Sequence, residues 1–301
     1  MSDKRMALSV SLPKSALADP LEDPAHALER LGLGRFFGAG ELSSLGSAAA
    51  DAFVRMRFAP SAGFALTGDE RRILDGAGAN YGVLPDMAFR DLRLIASDMD
   101  STFITVECID EIAAAAGVKD RVAEITRRTL NGELDFSEAL ALRVSLLKGL
   151  DAEAALGGVY RDVLGVTEGA DRLARACVDQ GVEFLLVSGG FTYFTRRLQK
   201  RFALAHELAN VLEIDSEGKL TGKTVGPVID SAAKRREIER LAKEGGYGMD
   251  RVAAVGDGAN DVPMLKLAGV GVSFKGKAVN RVAADCVINA GGLDELMRFF
   301  R

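Results

Sequence analysis

The sequence predicts an α/β protein with a doubly wound parallel sheet, a helical cap inserted after the first strand of that sheet, and a small α+β domain in front. Two observations carry this prediction. Short apolar runs alternate with helical patterns from about residue 88 onward, and one long interval contains only helical patterns. Such runs are typical of strands that a parallel sheet buries on both faces. Ligands of this fold class bind at the carboxyl ends of the strands, so the candidate site is expected there.

The core sheet is predicted from five apolar runs, each ending near a Gly, Asp, Ser or Asn residue. They are residues 94–97, 182–187, 252–255, 270–274 and 285–288. A helix between the first two runs is expected to begin after Thr167 as N-cap and to end before Gly181. Residues 214–220 have the pattern of a hairpin turn between two short strands.

The helical interval from residue 107 to about 165 predicts a cap of about residues 105–166, within a domain that spans residues 88–301. Residues 1–87 are predicted to form the separate small domain. They contain two alternating patterns typical of strands at 6–12 and 52–58, a helical piece at 24–31, and a loop-like stretch at 75–80.

The composition limits the classes of function. The chain has 301 residues, of which 48% are hydrophobic and 27% charged, and this suits about two compact domains. A net charge of -5 argues against sequence-independent nucleic-acid binding, which needs a basic surface. The sequence has no run of about 18 apolar residues and no convincing signal core at its start. We therefore expect a cytoplasmic enzyme that acts on a small molecule, with no membrane or nucleic-acid partner; a homodimer stays open.

The cysteines and histidines offer little chemistry. Cys108, Cys177 and Cys286 are too scattered for a disulfide framework or a zinc site, so we expect them in the core. His26 and His206 stand far apart without a partner motif. Catalysis is therefore expected from carboxylates, lysine, arginine and hydroxyl groups.

The strongest chemical signal is a pair of acids, Asp98 and Asp100, directly after the first core strand. A carboxylate with a pKa of about 3.9 is ionised at neutral pH and needs no base to act as a nucleophile. A neighbouring carboxyl that its environment keeps protonated can protonate a leaving alkoxide and later activate water. The pair therefore predicts two different roles around one ligand.

A second acidic cluster, residues 256–261, follows the run at 252–255 and contains Asp257, Asn260 and Asp261. Its glycines allow the backbone to approach a ligand, and its oxygen atoms suit a hard cation such as Mg2+. Alone, the cluster is also typical of a glycine-rich turn. Together with the first acid pair, on an equivalent strand end, it predicts a shared metal site.

A phosphate cradle is predicted at Ser188 and Gly189, between a strand and a helix, where backbone N–H groups point outward. This signal is weak alone. Lys234 lies on the helical pattern before the second acidic cluster and offers a fixed positive charge, although a lone helical lysine is usually a solvated surface residue.

These four signals, in this order and spacing, resemble the haloacid-dehalogenase superfamily and specifically its phosphoserine phosphatase branch. Further segments match the signature of that branch: residues 107–113, 131–136 and 143–148. The resemblance covers roughly residue 81 to the end of the chain and implies a Rossmann-like core of that superfamily. The first 87 residues are only weakly similar to the degenerate amino-acid-binding (ACT-like) module that many bacterial members carry.

The resemblance implies Mg2+-dependent hydrolysis of O-phospho-L-serine to L-serine and phosphate through an aspartyl phosphate, the last step of serine biosynthesis. It implies that Asp98 is the nucleophile and Asp100 the general acid and base. Mg2+ would be bound by Asp98, the main-chain carbonyl of Asp100 and Asp257, with Asp261 orienting these ligands. The resemblance further implies that the substrate is bound by Ser188, Gly189 and Lys234 at the phosphoryl group with Asn260 nearby, by Glu107 and Arg143 at the amino and carboxylate groups, and that Phe136 shields the site under the closed cap.

Two departures from the family pattern stand out. Leu130 replaces a methionine beside the pocket, and residues 275–284 are less recognisable but are expected to lie far from the chemistry. Two other functions also fit the motifs: transfer of the phosphoryl group to another alcohol such as homoserine, and a non-catalytic amino-acid sensor. A sensor has no need for Asp100 or for a cap that reads the substrate, which counts against it.

Overall fold

The structure of the chain is a computed structural model that describes residues 6–18, 22–39, 42–45, 53–60 and 63–301. Within these residues, eleven strands form one sheet. The strands are β1 (Met6–Pro13), β2 (Leu42–Leu45), β3 (Phe53–Phe58), β4 (Asn80–Pro85), β5 (Leu94–Ser97), β6 (Glu183–Phe191), β7 (His206–Ile214), β8 (Leu220–Val225), β9 (Val252–Gly256), β10 (Val270–Phe274) and β11 (Cys286–Ile288).

The α-helices of the described residues lie mainly in the second part of the chain. They are α1 (Pro24–Arg30), α2 (Gly68–Gly76), α3 (Cys108–Ala115), α4 (Lys119–Leu130), α5 (Phe136–Ser145), α6 (Ala152–Gly158), α7 (Ala170–Gln180), α8 (Thr192–Phe202), α9 (Ser231–Gly245), α10 (Val262–Leu267) and α11 (Ala278–Ala283). In the part of the chain that is described, no helix is long and apolar enough to cross a membrane.

The core of the sheet confirms the predicted doubly wound α/β class. The order of its strands is β11-β10-β9-β5-β6-β7, and all neighbours in this series are parallel. The chain therefore winds outward in both directions from β5, which pairs with β9 on one side and with β6 on the other. The carboxyl ends of β5 and β9 meet at this switch point, where ligands of the fold class bind.

Both faces of the core strands are buried. Along β5, Ile95 packs into one apolar cluster, whereas Leu94 and Ala96 pack into another. Successive side chains of a strand point to opposite faces of the sheet, so a run without polar residues needs helices on both sides. The two clusters are therefore the two layers between the sheet and its helices.

The predicted cap is helical, as expected. Helices α3 to α6 follow β5, and the two ends of the cap meet at an antiparallel bridge between Ile104 and Val166. The cap also touches the β7–β8 hairpin: the Gly149 N–H donates to the Leu220 carbonyl at 2.7 Å. The hairpin turn predicted at residues 214–220 is confirmed by the antiparallel pairing of β7 and β8.

The N-terminal strands continue the same sheet. β1 pairs with β3 and β4, and β4 pairs antiparallel with β11, the last strand of the core. A Cβ on Gly82 would lie 2.3 Å from the Sγ of Cys286, so this edge needs a glycine. The division of the chain into domains at residue 87 stays a proposal.

Three details differ from the prediction, and a fourth is not tested. The loop-like stretch at 75–80 is shorter, because Asp75 and Gly76 end α2 and Asn80 begins β4. The N-cap of α7 is Gly169, with φ of 77°, instead of Thr167. β6 runs four residues beyond the predicted end at 187, up to Phe191. Ala52, the predicted start of a strand, lies outside the described residues.

The three cysteines are free and buried, which confirms that they are core residues.

Candidate active site

The first acid, Asp98, follows β5 in extended conformation and is 5% exposed. A turn at Met99–Phe103 then reverses the chain, with Ser101 at φ of 56°, in the left-handed region. The Met99 N–H donates to Oδ1 of Asp98 at 2.8 Å. This turn separates the two acids of the pair, so that their side chains meet different partners.

A buried lysine links the two acidic clusters. Nζ of Lys234, on α9, donates to Oδ1 of Asp98 at 2.7 Å and to Oδ1 of Asp261 at 2.8 Å. Lys234 is 1% exposed and Asp261 is fully buried. The structure thus contradicts the view of Lys234 as a solvated surface lysine and places it inside the candidate site.

Asp261 uses both of its carboxylate oxygens within the protein. While Oδ1 accepts from Lys234, Oδ2 accepts from the N–H groups of Asp257 at 3.2 Å and Gly258 at 3.1 Å. By contrast, the hydrogen bonds among the described residues reach only Oδ1 of Asp98 and only Oδ1 of Asp257. One oxygen of Asp98 and one of Asp257 are therefore available for a ligand. Asp261, with both oxygens bonded, is suited to orienting Lys234 and the backbone of the second acidic cluster.

The donor set fits a divalent cation. Asp98, Asp257 and Asp261 each offer an oxygen atom, and these atoms all lie within 4.8 Å of one another. Burial and the charge of Asp261 raise the pKa of Asp98 well above its usual range, against the opposing effect of Lys234. Burial, Asp261 and Glu107 raise the pKa of Asp257 to about 6. Three crowded carboxylates with one lysine therefore need further positive charge, and hard cations take such oxygen ligands.

Asp100 is held apart from this cluster. Its Oδ1 accepts from the N–H of Cys108 at 2.9 Å, and its Oδ2 accepts from the Ser188 hydroxyl at 3.2 Å. Burial and the charge of Glu107 raise the pKa of Asp100 to about 6. A carboxyl with a pKa near neutrality can both give and take a proton, which is what a general acid and base needs.

The residues of the predicted phosphate cradle lie in a bulge within β6. The register between β6 and β7 shifts between Val187 and Phe191, so Ser188, Gly189 and Gly190 bulge out of the regular ladder toward the acids. The Gly190 N–H donates to the Ser188 hydroxyl oxygen at 2.8 Å. Bulges of this kind often redirect side chains beside active sites.

Two residues of the site were not predicted from the sequence. Asn210, on β7 and 1% exposed, donates from Nδ2 to the Gly189 carbonyl at 2.8 Å and accepts at Oδ1 from the Ile229 N–H at 2.8 Å. Thr102 is fully buried and donates to Oδ1 of Asp257 at 3.2 Å. The available signal for Asn210 was a single polar residue within the apolar run 208–212, whereas Thr102 stands among the polar residues of the first acidic motif.

The cap brings its candidate substrate residues to the same side. Glu107 accepts from the Ser101 hydroxyl at 2.8 Å. Burial lowers the pKa of Arg143, and the nearby charges of Asp110, Glu107 and Asp100 oppose this shift. The ring of Phe136 lies over the cradle, with Cζ 2.9 Å from the position that a Cβ on Gly189 would take.

The expectation that residues 275–284 lie far from the chemistry is wrong. The Lys277 N–H donates to the Asp257 carbonyl at 2.9 Å, and Nδ2 of Asn280 donates to the Gly258 carbonyl at 3.0 Å. Asn260 is exposed at the rim, with Nδ2 3.4 Å from Oδ1 of Asp261.

Comparisons with known proteins agree with this architecture. The sequence matches the family model of haloacid dehalogenase-like hydrolases over residues 95–266. A phosphoserine phosphatase of Polaromonas is 44% identical over 222 residues, which cover 72% of this chain and 93% of the relative.

Two solved structures are similar over almost the whole chain, including the N-terminal strands. A HAD family hydrolase of Salmonella enterica serovar Typhi has a TM-score of 0.83 at 27% identity and covers 98% of both chains. A probable phosphoserine phosphatase of Vibrio cholerae, in its unliganded form, has a TM-score of 0.75 at 31% identity and covers 97% of this chain and 85% of its own.

These matches confirm the expectation of a phosphatase enzyme. The chain belongs to the haloacid dehalogenase-like hydrolase family and, within it, to the branch of the phosphoserine phosphatases.

Proposed function

We propose that the chain hydrolyses O-phospho-L-serine to L-serine and phosphate, with Mg2+ as cofactor and with Asp98 as the residue that accepts the phosphoryl group. The observation that carries this proposal is the arrangement at the switch point. Asp98 and Asp257 keep one carboxylate oxygen each beside the Lys234–Asp261 pair, while Asp100 is held separately by Ser188. One acid is thus placed for attack and another for proton transfer.

The side chains divide the work of phosphoryl transfer. Asp98, Asp257 and the Asp100 carbonyl would hold Mg2+, which would supply positive charge for the oxygens of the phosphoryl group. Lys234 adds a second, fixed charge beside Asp98. In the first step the Asp98 carboxylate attacks phosphorus as the serine oxygen leaves with a proton from Asp100. In the second step water attacks the phosphorus of the aspartyl phosphate and gives a proton to Asp100, while the bond from phosphorus to Asp98 breaks and releases phosphate and the free carboxylate.

The cradle and the cap account for recognition in this proposal. Ser188 and the N–H of Gly189 bind the phosphoryl oxygens, with Asn260 at the rim. Arg143 binds the substrate carboxylate, for which its planar guanidinium group is suited, and Glu107 binds the ammonium group. Phe136 excludes water while the cap is closed. The cytoplasmic location and the role in serine biosynthesis remain predictions from the sequence, which leaves a homodimer open.

The substitution Asp98→Asn tests the proposal. It keeps the size of the side chain but removes the charged nucleophile, so we expect less than about 1% of the wild-type rate of phosphate release from phosphoserine with Mg2+, a loss typical of a removed nucleophile. Asp120→Asn, at an exposed aspartate of α4, is the matched control and should keep full activity. A folded Asp98→Asn enzyme with substantial residual activity would remove the nucleophile from the proposal.

A further inference from the structure

The segment Ser273–Asn280 supports the second acidic loop from outside. The Asp257 and Gly258 N–H groups donate to Asp261, and the two carbonyls of the same residues accept from this segment: from the backbone of Lys277 and from the side chain of Asn280. The main chain that carries Asp257 is therefore held from both sides. The Gly258 carbonyl also accepts from the Asp261 N–H at 3.2 Å. Among these hydrogen bonds, those with the side chains of Asp261 and Asn280 are the ones that a substitution can remove.

Asn280 occupies an unfavourable place for an amide. It is fully buried in α11, and the hydrogen bond to the Gly258 carbonyl is the one that its side chain makes within the described residues. Its Oδ1 has no protein partner there, and neither does the buried hydroxyl of Ser273. A buried polar atom without a partner costs stability, and an apolar side chain of the same size would avoid that cost.

We infer that Asn280 is a positioning residue for the metal-binding loop: it fixes the Gly258 carbonyl and thereby the direction in which Asp257 presents its free oxygen. The amide is then retained for its effect on the site at the expense of stability, a trade-off found at functional positions. This inference rests on the proposed Mg2+ site. Groups that orient metal ligands commonly change metal affinity by about 10–100-fold when they are removed.

The test compares Mg2+ binding with stability in the same experiment. The melting temperature of the full chain is measured without substrate at increasing Mg2+ concentration and constant ionic strength, because a bound ion raises Tm according to its affinity. We expect Asn280→Leu to melt at or above the wild-type temperature without Mg2+, while its Tm begins to rise only at about tenfold higher Mg2+ concentration. Asn280→Ala, which removes the donor without adding bulk or charge, should show a similar shift in Mg2+ affinity.

Asn80→Leu is the matched control. Asn80 is also buried, but both ends of its amide are bonded to backbone groups of residues 289 and 290, away from the site. It should therefore melt at a lower temperature and keep the wild-type response to Mg2+. An unchanged Mg2+ response in folded Asn280→Leu and Asn280→Ala would overturn the role of Asn280. A wild-type chain without any Mg2+ response, yet active on phosphoserine, would overturn the metal site and this role with it.

Discussion

The four aspartates of the site differ in the groups to which they are hydrogen-bonded. Both carboxylate oxygens of Asp261 accept hydrogen bonds, from Lys234 and from two backbone N–H groups. Among the described residues, Asp98 and Asp257 each have one oxygen without such a bond, which a ligand can use. Asp100 meets a hydroxyl and a backbone donor instead. In the proposed function, these different partners suit Asp261 to orienting the site, Asp98 and Asp257 to binding the metal, and Asp100 to proton transfer.

The motif residues of the site could be predicted from the sequence because each follows a strand of recognisable pattern. Asn210 and Thr102 could not, because their partners lie far along the chain: Thr102 meets Asp257, and Asn210 meets Gly189 and Ile229. A hydrogen bond between distant segments leaves no spacing in the sequence. Asn280 was missed for the same reason.

The proposed role of Arg143 can be tested by substitution. If its guanidinium group binds the substrate carboxylate, Arg143→Ala should raise KM for phosphoserine by at least about tenfold and change KM for an aryl phosphate little, since the lost contact is absent from that substrate. Steady-state kinetics on both substrates measures this. Arg127→Ala, at an exposed cap arginine that pairs with Glu124, is the control. Equal losses on both substrates would show that Arg143 does not read the carboxylate.

At the scale of elements, strands with uniform apolar character were predicted well and elements with mixed signals were not. β6 extends past its apolar run because Ser188, Gly189 and Gly190 bulge and then rejoin β7 at Phe191. β4 was missed because it contains a glycine and ends at a proline. α2 did have a signal in the sequence: Thr67 and Glu70 form a reciprocal capping box at its start.

The capping glutamate of α2 gives a prediction about pH. The carboxylate of Glu70 pairs with the guanidinium group of Arg35, with Nη2 2.6 Å from Oε2, and this lowers the pKa of Glu70 although burial opposes the shift. A lowered pKa in the folded state gives stability that is present above the unfolded value of about 4.3 and is lost as the pH falls through the folded value.

Glu70→Gln should therefore lower the urea midpoint near neutral pH, and its difference from the wild type should shrink below about pH 4. Urea unfolding of both chains from about pH 7 to about pH 3.5 measures the difference. Asp69→Asn, at the exposed neighbour of Glu70, should show little effect. A difference that is constant across this range would contradict the role of the ion pair.

At the scale of the whole molecule, the sheet crosses the expected boundary at residue 87. The sequence could predict strands on both sides of that boundary, but alternation does not specify which edges pair. The close contact of Gly82 with Cys286 shows how β4 and β11 meet. The cap, in contrast, could be predicted as a unit, because a long helical interval within an α/β pattern is typical of an inserted helical segment.

The contact between Phe136 of the cap and Gly189 of the core can be tested by substitution. Because the ring of Phe136 lies where a side chain on Gly189 would point, Gly189→Ala should keep the cap from closing fully and lower kcat/KM for phosphoserine by about tenfold, as small displacements of a site can. Gly158→Ala, in a cap helix with open space around the added methyl group, is the control. The double variant Gly189→Ala/Phe136→Leu should recover part of the lost kcat/KM, because the leucine side chain is smaller than the phenylalanine ring. No recovery in the double variant would contradict the steric explanation.

The most direct measurement of the central claim is chemical trapping at Asp98. The enzyme is mixed with phosphoserine and Mg2+, quenched during turnover and reduced with borohydride, which converts an acyl phosphate of aspartate into homoserine; peptide mass spectrometry then locates the change. The account predicts homoserine at position 98 in the wild-type chain and none in Asp98→Asn. Rapid turnover without a modified residue 98, or with the modification at another aspartate, would contradict it.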